Sequence, residues 1–448
     1  MKKVITYGTF DLFHQGHYNI LKRAKELGDY LIVGVTSENY DKTRGKLNVK
    51  QSLVERIENV KKTGLADKII VEEYLGQKVD DVKKYDVDTF VLGSDWAGKC
   101  DYLKEYCNVV YLERTKGVSS TELRNKQSGI LEIGVLGAGR IADRFVKEAM
   151  FVSGVNTDNV CGRDKKKVDD FVEKHCLKNG FTDYEEFLKN VDAVYIATPH
   201  LTHYDYAKKA LENKKHVLCE KPLTLEKGQS EELYKIAKEN NVCLFEAIKT
   251  VYSPGFNRLV ALAKSGVIGK IKDVDATFTK LIADKNLREF DPKQAGGSVT
   301  ELSTYPLIAI MKLLGVDYNN INFYTYMNDD NIDLYTKIVL QYKDAIATAQ
   351  VGLGVKKEGE MVISGTNGYI LVPAPWWKTE YFEVRYEDQN RNERYFYKFE
   401  GDGLRYEIAE FLNTIHGNHK NCYLTQKESV AISEIIEKFR KKENMFLI

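Results

Sequence analysis

The stretch that decides the fold at the start of the chain is YGTFDLFHQGH, residues 7–17. It follows the apolar run Val4-Ile5-Thr6 and leads into the periodic segment 18–24, which predicts a strand, a turn and a helix. Free backbone N–H groups and the helix dipole favour negative charge at such a helix start. Gly8 and Gly16 let the backbone approach a ligand closely. The sequence therefore predicts an anion-binding turn here.

His14 and His17 are the candidate catalytic residues of this stretch. Because they are three positions apart, they can share one face at the start of the predicted helix. Two imidazoles at that place can donate hydrogen bonds to phosphate oxygens and stabilise the charge that develops during group transfer. A lone His-x-x-His is usually structural, but the position of this one between a strand and a helix favours the functional interpretation.

Gly8-Thr9-Phe10-Asp11, followed by His14-x-Gly16-His17, resembles the signature of the cytidylyltransferase branch of the nucleotidyltransferase superfamily. The resemblance implies that CTP, with Mg²⁺, donates CMP to a phosphorylated acceptor, and that Asp11 orients a group or the metal. No covalent intermediate is needed, so catalysis is positioning and charge neutralisation. The catalytic residues that it implies are His14, His17 and Lys46, and the nucleotide-binding residues are Gly8, Thr9, Phe10, Asp11, Gly16, Arg56, Asp95, Trp96, Arg114, Ser119, Ser120 and Thr121.

The segment 91–99, which contains Asp95-Trp96, resembles the part of glycerol-3-phosphate cytidylyltransferases that contacts the cytidine and the acceptor. The implied acceptor is an alditol phosphate, most simply glycerol phosphate, and ribitol, erythritol and glycerol 2-phosphates remain alternatives. The segment 114–121 resembles that family's second phosphate motif. These residues also have ordinary interpretations, because Ser-Ser-Thr is a good helix cap and a loop lysine is usually solvated.

The totals describe an ordinary soluble protein of several domains. At 448 residues the chain is long enough for two or three domains, and 43% hydrophobic with 29% charged residues is a common composition. The formal net charge of +1 gives no field that favours nucleic acid or a membrane surface. Seven cysteines without paired metal-ligand spacing fit a reducing cytoplasm. We expect no signal peptide and no membrane span, since no apolar run approaches about 18 residues.

Apolar runs that alternate with helical patterns predict a small doubly wound α/β domain over residues 1–128. The predicted strands after the first are 31–35, 68–71, 89–93 and 109–112. Ser52 and Glu55 have the spacing of a capping box at the start of a helix. Ligands are expected at the carboxyl ends of the parallel strands.

A polar stretch at 125–129 reads as a linker, and a Rossmann domain is predicted over residues 129–250. A strand at 131–136 is followed by Gly137-Ala138-Gly139-Arg140-Ile141-Ala142, which fits the dinucleotide fingerprint G-x-G-x-x-G/A. Arg163 follows the next strand, and its guanidinium can pair with a 2′-phosphate. NADP is therefore favoured over NAD, although Asp164 leaves NAD open.

Ala197-Thr198-Pro199, Glu220-Lys221-Pro222 and the segment 296–306 resemble the glucose–fructose oxidoreductase / inositol dehydrogenase family. The resemblance implies that Tyr305 exchanges the hydroxyl proton of a small carbonyl or polyol substrate, that Lys221 polarises the oxygen and favours the phenolate, and that Glu301 orients both. Glu301 and Tyr305, four apart, are expected on one helical face. The implied cofactor-binding residues are Gly137, Gly139, Arg140, Ile141, Arg163, Ala197, Thr198, Pro199, His203, Glu220 and Lys221. His200 and His203 have no third ligand nearby and are not expected to bind metal.

Residues 251–448 alternate with period two over several stretches, which predicts an α+β domain with an open, mostly antiparallel sheet. Amphipathic helices are predicted at 404–415 and 428–441, and these closing helices can return to the Rossmann part. In the resembled family such a sheet is commonly an oligomer surface, which implies a homodimer or a larger homo-oligomer. Trp376-Trp377 fits a substrate site, an interface or the core equally well.

The fold class is therefore α/β throughout the first two domains and α+β in the third, and the chain reads as a bifunctional enzyme. A cytidylyltransferase would make a CDP-alditol, and an NADP(H)-dependent oxidoreductase would supply the alditol for a cell-surface polymer. Two alternatives remain. The oxidoreductase could act on a nucleotide-linked sugar, or the second half could be an NADP-binding dimerisation scaffold without turnover.

Overall fold

The computed structural model describes residues 1–37, 49, 51–74, 76–113, 130–417 and 423–448, and for residue 95 the main chain alone. The chain forms two compact units. One consists of Met1–Ile130 with Phe151–Gly154, and the other of Leu131–Met150 with Val155–Ile448. The division of the second unit into a Rossmann domain and an α+β domain at residue 250 stays a prediction.

The first unit is built around a five-stranded parallel sheet with strand order β3-β2-β1-β4-β5. Its strands are β1 (Lys3–Gly8), β2 (Tyr30–Thr36), β3 (Lys68–Glu72), β4 (Thr89–Gly93) and β5 (Asn108–Leu112), and its described helices are α1 (Gln15–Lys25), α2 (Leu53–Lys62) and α3 (Gln77–Tyr85). The strand order reverses between β1 and β4, which is where such sheets bind ligands. The predicted doubly wound domain is confirmed.

Both faces of this sheet are covered, as the continuous apolar runs of its strands predict. In β1, Val4 packs into the cluster on one face and Ile5 into the cluster on the other. The predicted capping box is also confirmed. The Ser52 hydroxyl accepts the Glu55 N–H, and the Glu55 carboxylate accepts the Ser52 N–H at 2.7 Å. Two backbone N–H groups at the start of α2, which have no partner within the helix, gain hydrogen-bond acceptors in this way.

The second unit begins with a seven-stranded parallel sheet of order β12-β11-β10-β6-β8-β9, in which β7 also pairs with β6. Its strands are β6 (Leu131–Leu136), β7 (Val155–Asn156), β8 (Asn159–Cys161), β9 (Asn179–Phe181), β10 (Ala193–Ile196), β11 (His216–Glu220) and β12 (Leu244–Ala247). Its helices are α4 (Arg140–Ala149), α5 (Lys165–His175), α6 (Tyr184–Lys189), α7 (His203–Glu212) and α8 (Lys227–Glu239). The order reverses between β6 and β10, so the predicted Rossmann fold is confirmed.

The remainder of the unit contains a nine-stranded sheet of order β20-β19-β18-β17-β13-β16-β15-β14-β21. The strands are β13 (Ile271–Thr279), β14 (Asn320–Met327), β15 (Asp333–Gln341), β16 (Ile346–Gly352), β17 (Met361–Gly365), β18 (Tyr369–Val372), β19 (Tyr381–Arg385), β20 (Glu393–Phe396) and β21 (Met445–Leu447). The helices are α9 (Lys249–Tyr252), α10 (Pro254–Lys264), α11 (Ser298–Leu302), α12 (Thr304–Leu314), α13 (Leu404–Ile415) and α14 (Gln426–Arg440). Among the described strands of this sheet only β13–β16 and β14–β21 pair in parallel, so the predicted mostly antiparallel sheet is confirmed.

The last two helices lie against the Rossmann part. The guanidinium of Arg405, at the start of α13, forms a buried pair with Glu148 of α4 through contacts of 2.7 and 3.0 Å. On α14 the hydroxyl of Ser433 lies 2.8 Å from that of Ser230 on α8. The first of these contacts holds α13 beside the cavity that is described below. Among the described residues no helix is both long and apolar enough to cross a membrane.

Candidate functional sites

The turn after β1 holds His14 at the start of α1. Phe10 and Leu12 adopt positive φ values of 53° and 47°, and the Phe10 ring is buried in the core. The Gly16 N–H donates to His14 Nδ1 at 3.0 Å, so His14 is the N-cap of the helix. Since Nδ1 accepts, the proton of the neutral ring lies on Nε2. The capping contact therefore selects the tautomer in which Nε2 can donate to a phosphate.

The structure brings the two predicted histidines together. The rings of His14 and His17 are stacked, with centroids 3.9 Å apart and planes 19° from parallel. Phe10 and Phe13 pack against His17 at centroid distances of 5.4 and 5.5 Å. The aromatic neighbours restrict the ring of His17, which is the preorganisation that charge stabilisation in a transition state requires.

Arg56 lies at the base of this turn, and its side chain is fully buried. Its Nη1 donates to the main-chain oxygens of Thr9 at 2.9 Å and Thr36 at 2.7 Å, and its Nε donates to that of Gln51 at 3.1 Å. In the structure Arg56 thus joins the carboxyl ends of β1 and β2. This is a bracing role that the sequence interpretation missed, and a direct phosphate contact of Arg56 stays a prediction.

Asp11 is also part of this bracing. Its carboxylate accepts the Gln51 N–H at 3.0 Å, and the Leu12 N–H donates to the side-chain oxygen of Gln51 at 2.8 Å. The turn after β1 is thereby tied to the residue before the Ser52 cap. Within the described ranges no three His, Cys, Asp or Glu side chains are grouped closely enough to hold a metal.

At the end of the neighbouring strand β4, Ser94–Trp96 forms a 3₁₀ turn. Trp96 is half-buried, and the ammonium of Lys99 lies 5.2 Å from its ring centroid. The predictions that fall outside the described residues are Lys46, Arg114, Ser119, Ser120, Thr121 and the side chain of Asp95. The structure thus places Gly8, Thr9, Gly16, the histidines and Trp96 on the two strand ends that flank the reversal of strand order.

In the second unit, the carboxyl ends of the parallel strands surround a cavity of about 710 Å³. All the residues predicted to bind the cofactor line it, namely Gly137, Gly139, Arg140, Ile141, Arg163, Ala197, Thr198, Pro199, His203, Glu220 and Lys221. Tyr305 lines it as well, whereas Glu301 does not. The direct contact of each residue with a cofactor stays a prediction.

The glycines of the fingerprint fit a dinucleotide. Gly137 has a φ of 107°, and a Cβ there would lie 2.6 Å from the main-chain oxygen of Ala197. A Cβ on Gly139 would meet open space, and α4 begins directly after it. Free N–H groups of the first helical turn thus face the cavity at a glycine, which suits a pyrophosphate. The Arg140 side chain instead pairs with Glu289 at 2.9 Å.

At the end of β8 the acidic residue is engaged in helix capping. The Asp164 carboxylate accepts the Lys167 N–H at 3.2 Å as the N-cap of α5. Arg163 and Lys167 line the cavity beside it. Two cations at this position match a 2′-phosphate, because a guanidinium and an ammonium both donate to phosphate oxygens.

His203 joins two of the turns that line the cavity. Its Nδ1 lies 2.8 Å from the main-chain oxygen of Pro222, and its Nε2 lies 2.9 Å from that of Thr198. Burial lowers the pKa of His203 to about 4, against the opposite effect of these two carbonyls. A neutral imidazole has one N–H, so it donates to one carbonyl at a time. His203 positions the Thr198 and Pro222 turns in the structure.

Lys221 and Glu301 meet differently from the prediction. The Lys221 ammonium donates to the main-chain oxygen of Glu301 at 2.7 Å. The Glu301 carboxylate pairs instead with Arg288 at 2.9 Å, and it lies 3.8 Å from His200 Nδ1. Ser303 divides the predicted helix into α11, which carries Glu301, and α12, which carries Tyr305, but its backbone keeps right-handed helical angles. That both side chains share one helical face stays a prediction.

The glycine pair before α11 permits its close packing. Gly297 has a φ of 120°, and a Cβ there would lie 2.0 Å from Asp333 Oδ1. A Cβ on Gly296 would lie 2.6 Å from the main-chain oxygen of Glu289. The Val299 N–H donates to the Asp333 carboxylate at 2.8 Å, so β15 holds the first turn of α11. The position of Glu301 thus depends on the sheet.

The expected direction of the Tyr305 pKa is wrong. Burial raises the pKa of Tyr305 above its usual value, and the carboxylates of Glu220 and Glu407 raise it further. The Lys221 ammonium lies 5.8 Å from the Tyr305 ring centroid. Tyr305 is therefore protonated at neutral pH, and this state suits a proton donor to a carbonyl oxygen during reduction.

Several residues at this site could not be predicted from the sequence motifs. Arg288, Lys249 and Glu407 line the cavity although they lie in none of the family stretches. An aromatic series also reaches Tyr305, since Phe278 lies 5.1 Å from Tyr305 and stacks on Trp377 at 3.9 Å. Of the tryptophan pair, Trp376 belongs to the core, where its Nε1 donates to the main-chain oxygen of Thr277 at 2.8 Å.

Three protein-family profiles match the chain in succession. They are the cytidylyltransferase-like family over residues 5–126, the oxidoreductase family with an NAD-binding Rossmann fold over residues 131–248, and the GFO/IDH/MocA C-terminal domain over residues 256–371. Together the three matches extend over both units.

Individual relatives divide in the same way. Glycerol-3-phosphate cytidylyltransferase of Bacillus spizizenii is 48% identical over 130 residues, which are 29% of this chain and 100% of that protein. The scyllo-inositol 2-dehydrogenase (NADP(+)) of Bacillus subtilis is 26% identical over 321 residues, 70% of this chain and 97% of that protein.

Solved structures share the fold of the second unit. A 3-ketoreductase from Actinomadura kijaniata, solved with NADP and TDP-benzene as a Tyr-to-Phe variant, gives a TM-score of 0.64 at 20% identity and covers 71% of this chain and 99% of its own. Levoglucosan dehydrogenase, solved with NADH and levoglucosan, gives a TM-score of 0.63 at 18% identity, with 69% and 96% coverage.

Proposed function

Because the first unit of this chain belongs to the cytidylyltransferase-like family and the second to the GFO/IDH/MocA family of NAD(P)-dependent oxidoreductases, we propose a bifunctional enzyme that serves one pathway. The first unit transfers CMP from CTP to an alditol phosphate, most simply glycerol 3-phosphate, and releases CDP-glycerol and pyrophosphate. The second unit reduces a small carbonyl compound, or its phosphate, to the alditol or the alditol phosphate with NADPH. The CDP-alditol then supplies a unit of a cell-surface polymer.

The similarity to a glycerol-3-phosphate cytidylyltransferase over that relative's whole length carries the assignment of the acceptor. In the transfer, an oxygen of the acceptor phosphate attacks the α-phosphorus of CTP in line, and the bond to the bridging oxygen of pyrophosphate breaks. His14 and His17 hold oxygens of the reacting phosphates, and Nε2 of His14 donates. Bound with the triphosphate, Mg²⁺ would offset its charge, while Asp11 keeps the turn in place.

In the second unit some residues bind the cofactor and others take part in the reaction. Gly137 and Gly139 hold the pyrophosphate, and Arg163 with Lys167 holds the 2′-phosphate, which supports NADPH over NADH. When bound, the cofactor supplies a hydride to the carbonyl carbon. Tyr305 gives its hydroxyl proton to the carbonyl oxygen, and Lys221 polarises that oxygen. Glu301 fixes Lys221 through its main-chain oxygen.

Tyr305 holds its hydroxyl proton at neutral pH, which is the starting state for reduction. The raised pKa of Tyr305 keeps the proton that a reduction needs, whereas an oxidation needs a base at this position. In the ketoreductase of the same fold, the lysine and the tyrosine that are substituted in two of its solved variants are separated by as many residues as Lys221 and Tyr305. This supports an active site over a scaffold that only binds NADP.

We further propose that the enzyme acts in the cytoplasm and forms an oligomer. CTP and NADPH are both cytoplasmic metabolites, and the described cysteines are free thiols, which fits the cytoplasm. The nine-stranded sheet leaves Tyr324, Tyr326 and Tyr369 exposed, and we propose that the chain self-associates through this sheet as a homodimer or larger oligomer.

Pyrophosphate release tests the first half of the proposal. The full-length protein is offered CTP and Mg²⁺ with glycerol 3-phosphate, glycerol 2-phosphate, ribitol 5-phosphate or erythritol 4-phosphate. We expect glycerol 3-phosphate to give the largest kcat/KM. A clear preference for another alditol phosphate would replace the acceptor, and no release with any of them would contradict the assignment.

NADPH oxidation tests the second half, with the carbonyl compounds that correspond to those alditols. The series contains dihydroxyacetone, dihydroxyacetone phosphate, glyceraldehyde, ribulose 5-phosphate and erythrose 4-phosphate. A UDP-linked keto sugar is included for the rival substrate class. Oxidation of NADPH with the compound that matches the best acceptor, followed by formation of the CDP-alditol when CTP is added, is the expected result. Activity with the UDP-linked sugar alone would favour the rival.

A further inference from the structure

Asp333, the first residue of β15, is a buried acid that lies outside the sequence stretches that resemble the family. The residue is 3% exposed and does not line the cavity. Its carboxylate faces the start of α11, where Oδ2 accepts the N–H of Val299 at 2.8 Å. The hydroxyl of Thr336, on the same strand, donates to Oδ2 at 3.1 Å and holds the carboxylate in this direction.

A second set of contacts ties the same end of α11 to the sheet. The hydroxyl of Ser298 donates to the main-chain oxygen of Asp333 at 2.6 Å and accepts the N–H of Leu353, which follows β16, at 3.0 Å. Gly297 precedes this turn, and a Cβ there would overlap with Oδ1 of Asp333. The start of α11 is therefore fixed by an acid and a hydroxyl, next to a glycine that leaves room for the acid.

The same short helix also carries the acceptor of Lys221. The Lys221 ammonium donates to the main-chain oxygen of Glu301 at 2.7 Å, which is the one hydrogen bond that this ammonium makes within the described part of the chain. Because an α-helix rises about 1.5 Å per residue, Val299 and Glu301 are close along the helix axis. A displacement of the first turn of α11 therefore moves the acceptor of Lys221 as well.

We propose that Asp333 is a positioning residue for the reduction, because it holds α11 where the main-chain oxygen of Glu301 directs the Lys221 ammonium to the carbonyl oxygen of the substrate. The inference rests on the proposed function, in which Lys221 polarises that oxygen. Asp333 acts through α11 and Lys221, since it does not line the cavity. A displacement of about 1 Å can lower a catalytic rate about a hundredfold, so a carboxylate outside the cavity can control turnover.

Amine labelling of the full-length protein tests the contact without any substrate. In Asp333→Ala the Lys221 amine is expected to react with acetic anhydride about threefold faster than in the parent, because its hydrogen bond to Glu301 is weakened. Lys249 is the internal control, since it also lines the cavity but donates to the main-chain oxygen of Asp402 at 2.6 Å. Peptide mass spectrometry gives both rates. An unchanged rate at Lys221, or an equal rise at Lys249, would overturn the proposal.

Turnover per NADPH site tests the effect on the reaction, with dihydroxyacetone and dihydroxyacetone phosphate as the carbonyl probes. Asp333→Ala lowers kcat about 30-fold, while the affinity for NADPH stays within about twofold. Titration of the NADPH sites counts the folded molecules, so a carboxylate that only stabilised the fold would leave kcat per site unchanged. That result would contradict the positioning role.

Two further variants bracket this effect. Asp333→Asn keeps an oxygen for the Val299 N–H and restores kcat to within about threefold of the parent. Asp275→Asn is the matched control, because it changes another carboxylate of the nine-stranded sheet, one that accepts the side-chain N–H of Gln350 at 2.6 Å. This control retains the parental kcat. An equal loss of kcat in Asp275→Asn and Asp333→Ala would assign the effect to the sheet as a whole.

A double-mutant cycle tests whether Asp333 acts through Lys221. In the Lys221→Met background, Asp333→Ala is expected to lower the remaining rate of NADPH oxidation less than about threefold, because the group that it positions is already absent. The same loss in both backgrounds would show that Asp333 acts independently of Lys221 and would refute the proposal. If Asp333→Ala yields no protein that binds NADPH, Gly297→Ala, which displaces the carboxylate, takes its place in the labelling, the turnover measurement and the cycle.

Failure of the parent to reduce either probe or any other carbonyl compound of the series would contradict the proposed function instead. The labelling rates of Lys221 and Lys249 would then still decide whether Asp333 controls the position of the lysine, since that measurement needs no substrate.

Discussion

The two units place chemistry at the same feature of a parallel sheet, the reversal of strand order, but they assemble it in different ways. In the first unit, one stretch of eleven successive positions, 7–17, supplies the strand end, the turn, the helix cap and both histidines. In the second unit, Lys221 comes from the end of β11, Tyr305 from α12 and Glu407 from α13. One site is contiguous in sequence, and the other is composed from distant elements.

The difference also appears in how buried charges are used. In the first unit, the buried guanidinium of Arg56 donates to main-chain carbonyls and holds the turn. In the second unit, Glu220, Glu407 and Lys249 are grouped around a cavity, where burial shifts their pKa values. A buried charge that donates to main-chain carbonyls braces the fold, whereas a group of titratable side chains around a cavity can take part in proton transfer.

The variant Tyr305→Phe is expected to give the largest change in activity, and it tests whether the two units act separately. Loss of the proton donor lowers NADPH oxidation about a thousandfold, while NADPH affinity and cytidylyl transfer stay unchanged, because the hydroxyl alone is removed. Both activities are measured on one preparation, with pyrophosphate release as the internal control. A parallel fall of the two activities would show that the units do not work separately.

His17→Asn tests the contiguous site. Loss of one of the stacked imidazoles lowers the rate of cytidylyl transfer about a hundredfold, because removal of one preorganised hydrogen-bond donor to the transition state reduces a rate by roughly that factor. NADPH oxidation stays at the parent rate. Gln15→Ala, an exposed neighbour on the same helix, is the matched control and retains both activities. An increase in KM with an unchanged kcat would assign His17 to substrate binding alone.

Arg163→Ala combined with Lys167→Ala tests the cofactor preference. Removal of both cations weakens NADPH binding about 30-fold, because charge-assisted hydrogen bonds to the 2′-phosphate are lost, and leaves NADH binding within about threefold. Nicotinamide fluorescence titration measures both constants. Lys165→Ala removes an exposed lysine of the same helix that pairs with Asp169, and serves as the control. Equal weakening for both cofactors would contradict the 2′-phosphate contact.

The smallest effects come from the two capping boxes, Ser52 with Glu55 in the first unit and Thr425 with Glu428 in the second. Ser52→Ala and Thr425→Ala each lower the free energy of unfolding of their own unit by about 1 kcal/mol. CTP raises the unfolding temperature of the first unit and NADPH that of the second, which identifies the transitions in calorimetry. A shift of the same transition by both variants would contradict separate unfolding.

Much of the fold could be predicted from short stretches of sequence. Apolar runs such as Leu31-Ile32-Val33 predict buried strands because both faces of a parallel sheet are covered. The Ser52 capping box and the fingerprint from Gly137 predict helix starts, because the spacing of a few residues fixes which side chain reaches which N–H. The first site belongs to this class, since the positions of His14 and His17 follow from one turn of one helix.

What the sequence could not determine are relations between distant elements. Arg56 carries a charge that suits a phosphate, and only the convergence of β1 and β2 shows that main-chain carbonyls surround it. Glu301 and Tyr305 have helical spacing, and only the structure shows the break at Ser303 between α11 and α12.

The sequence by itself determined the class of chemistry of both units, because motifs of successive residues specify phosphate-binding turns and strand ends. The tertiary structure decided the protonation of the second site. The pKa of Tyr305 depends on burial and on the carboxylates of Glu220 and Glu407, which come from other elements. Electrostatic energies depend on distance in space and on exclusion of water, and neither quantity is a property of separation along the chain.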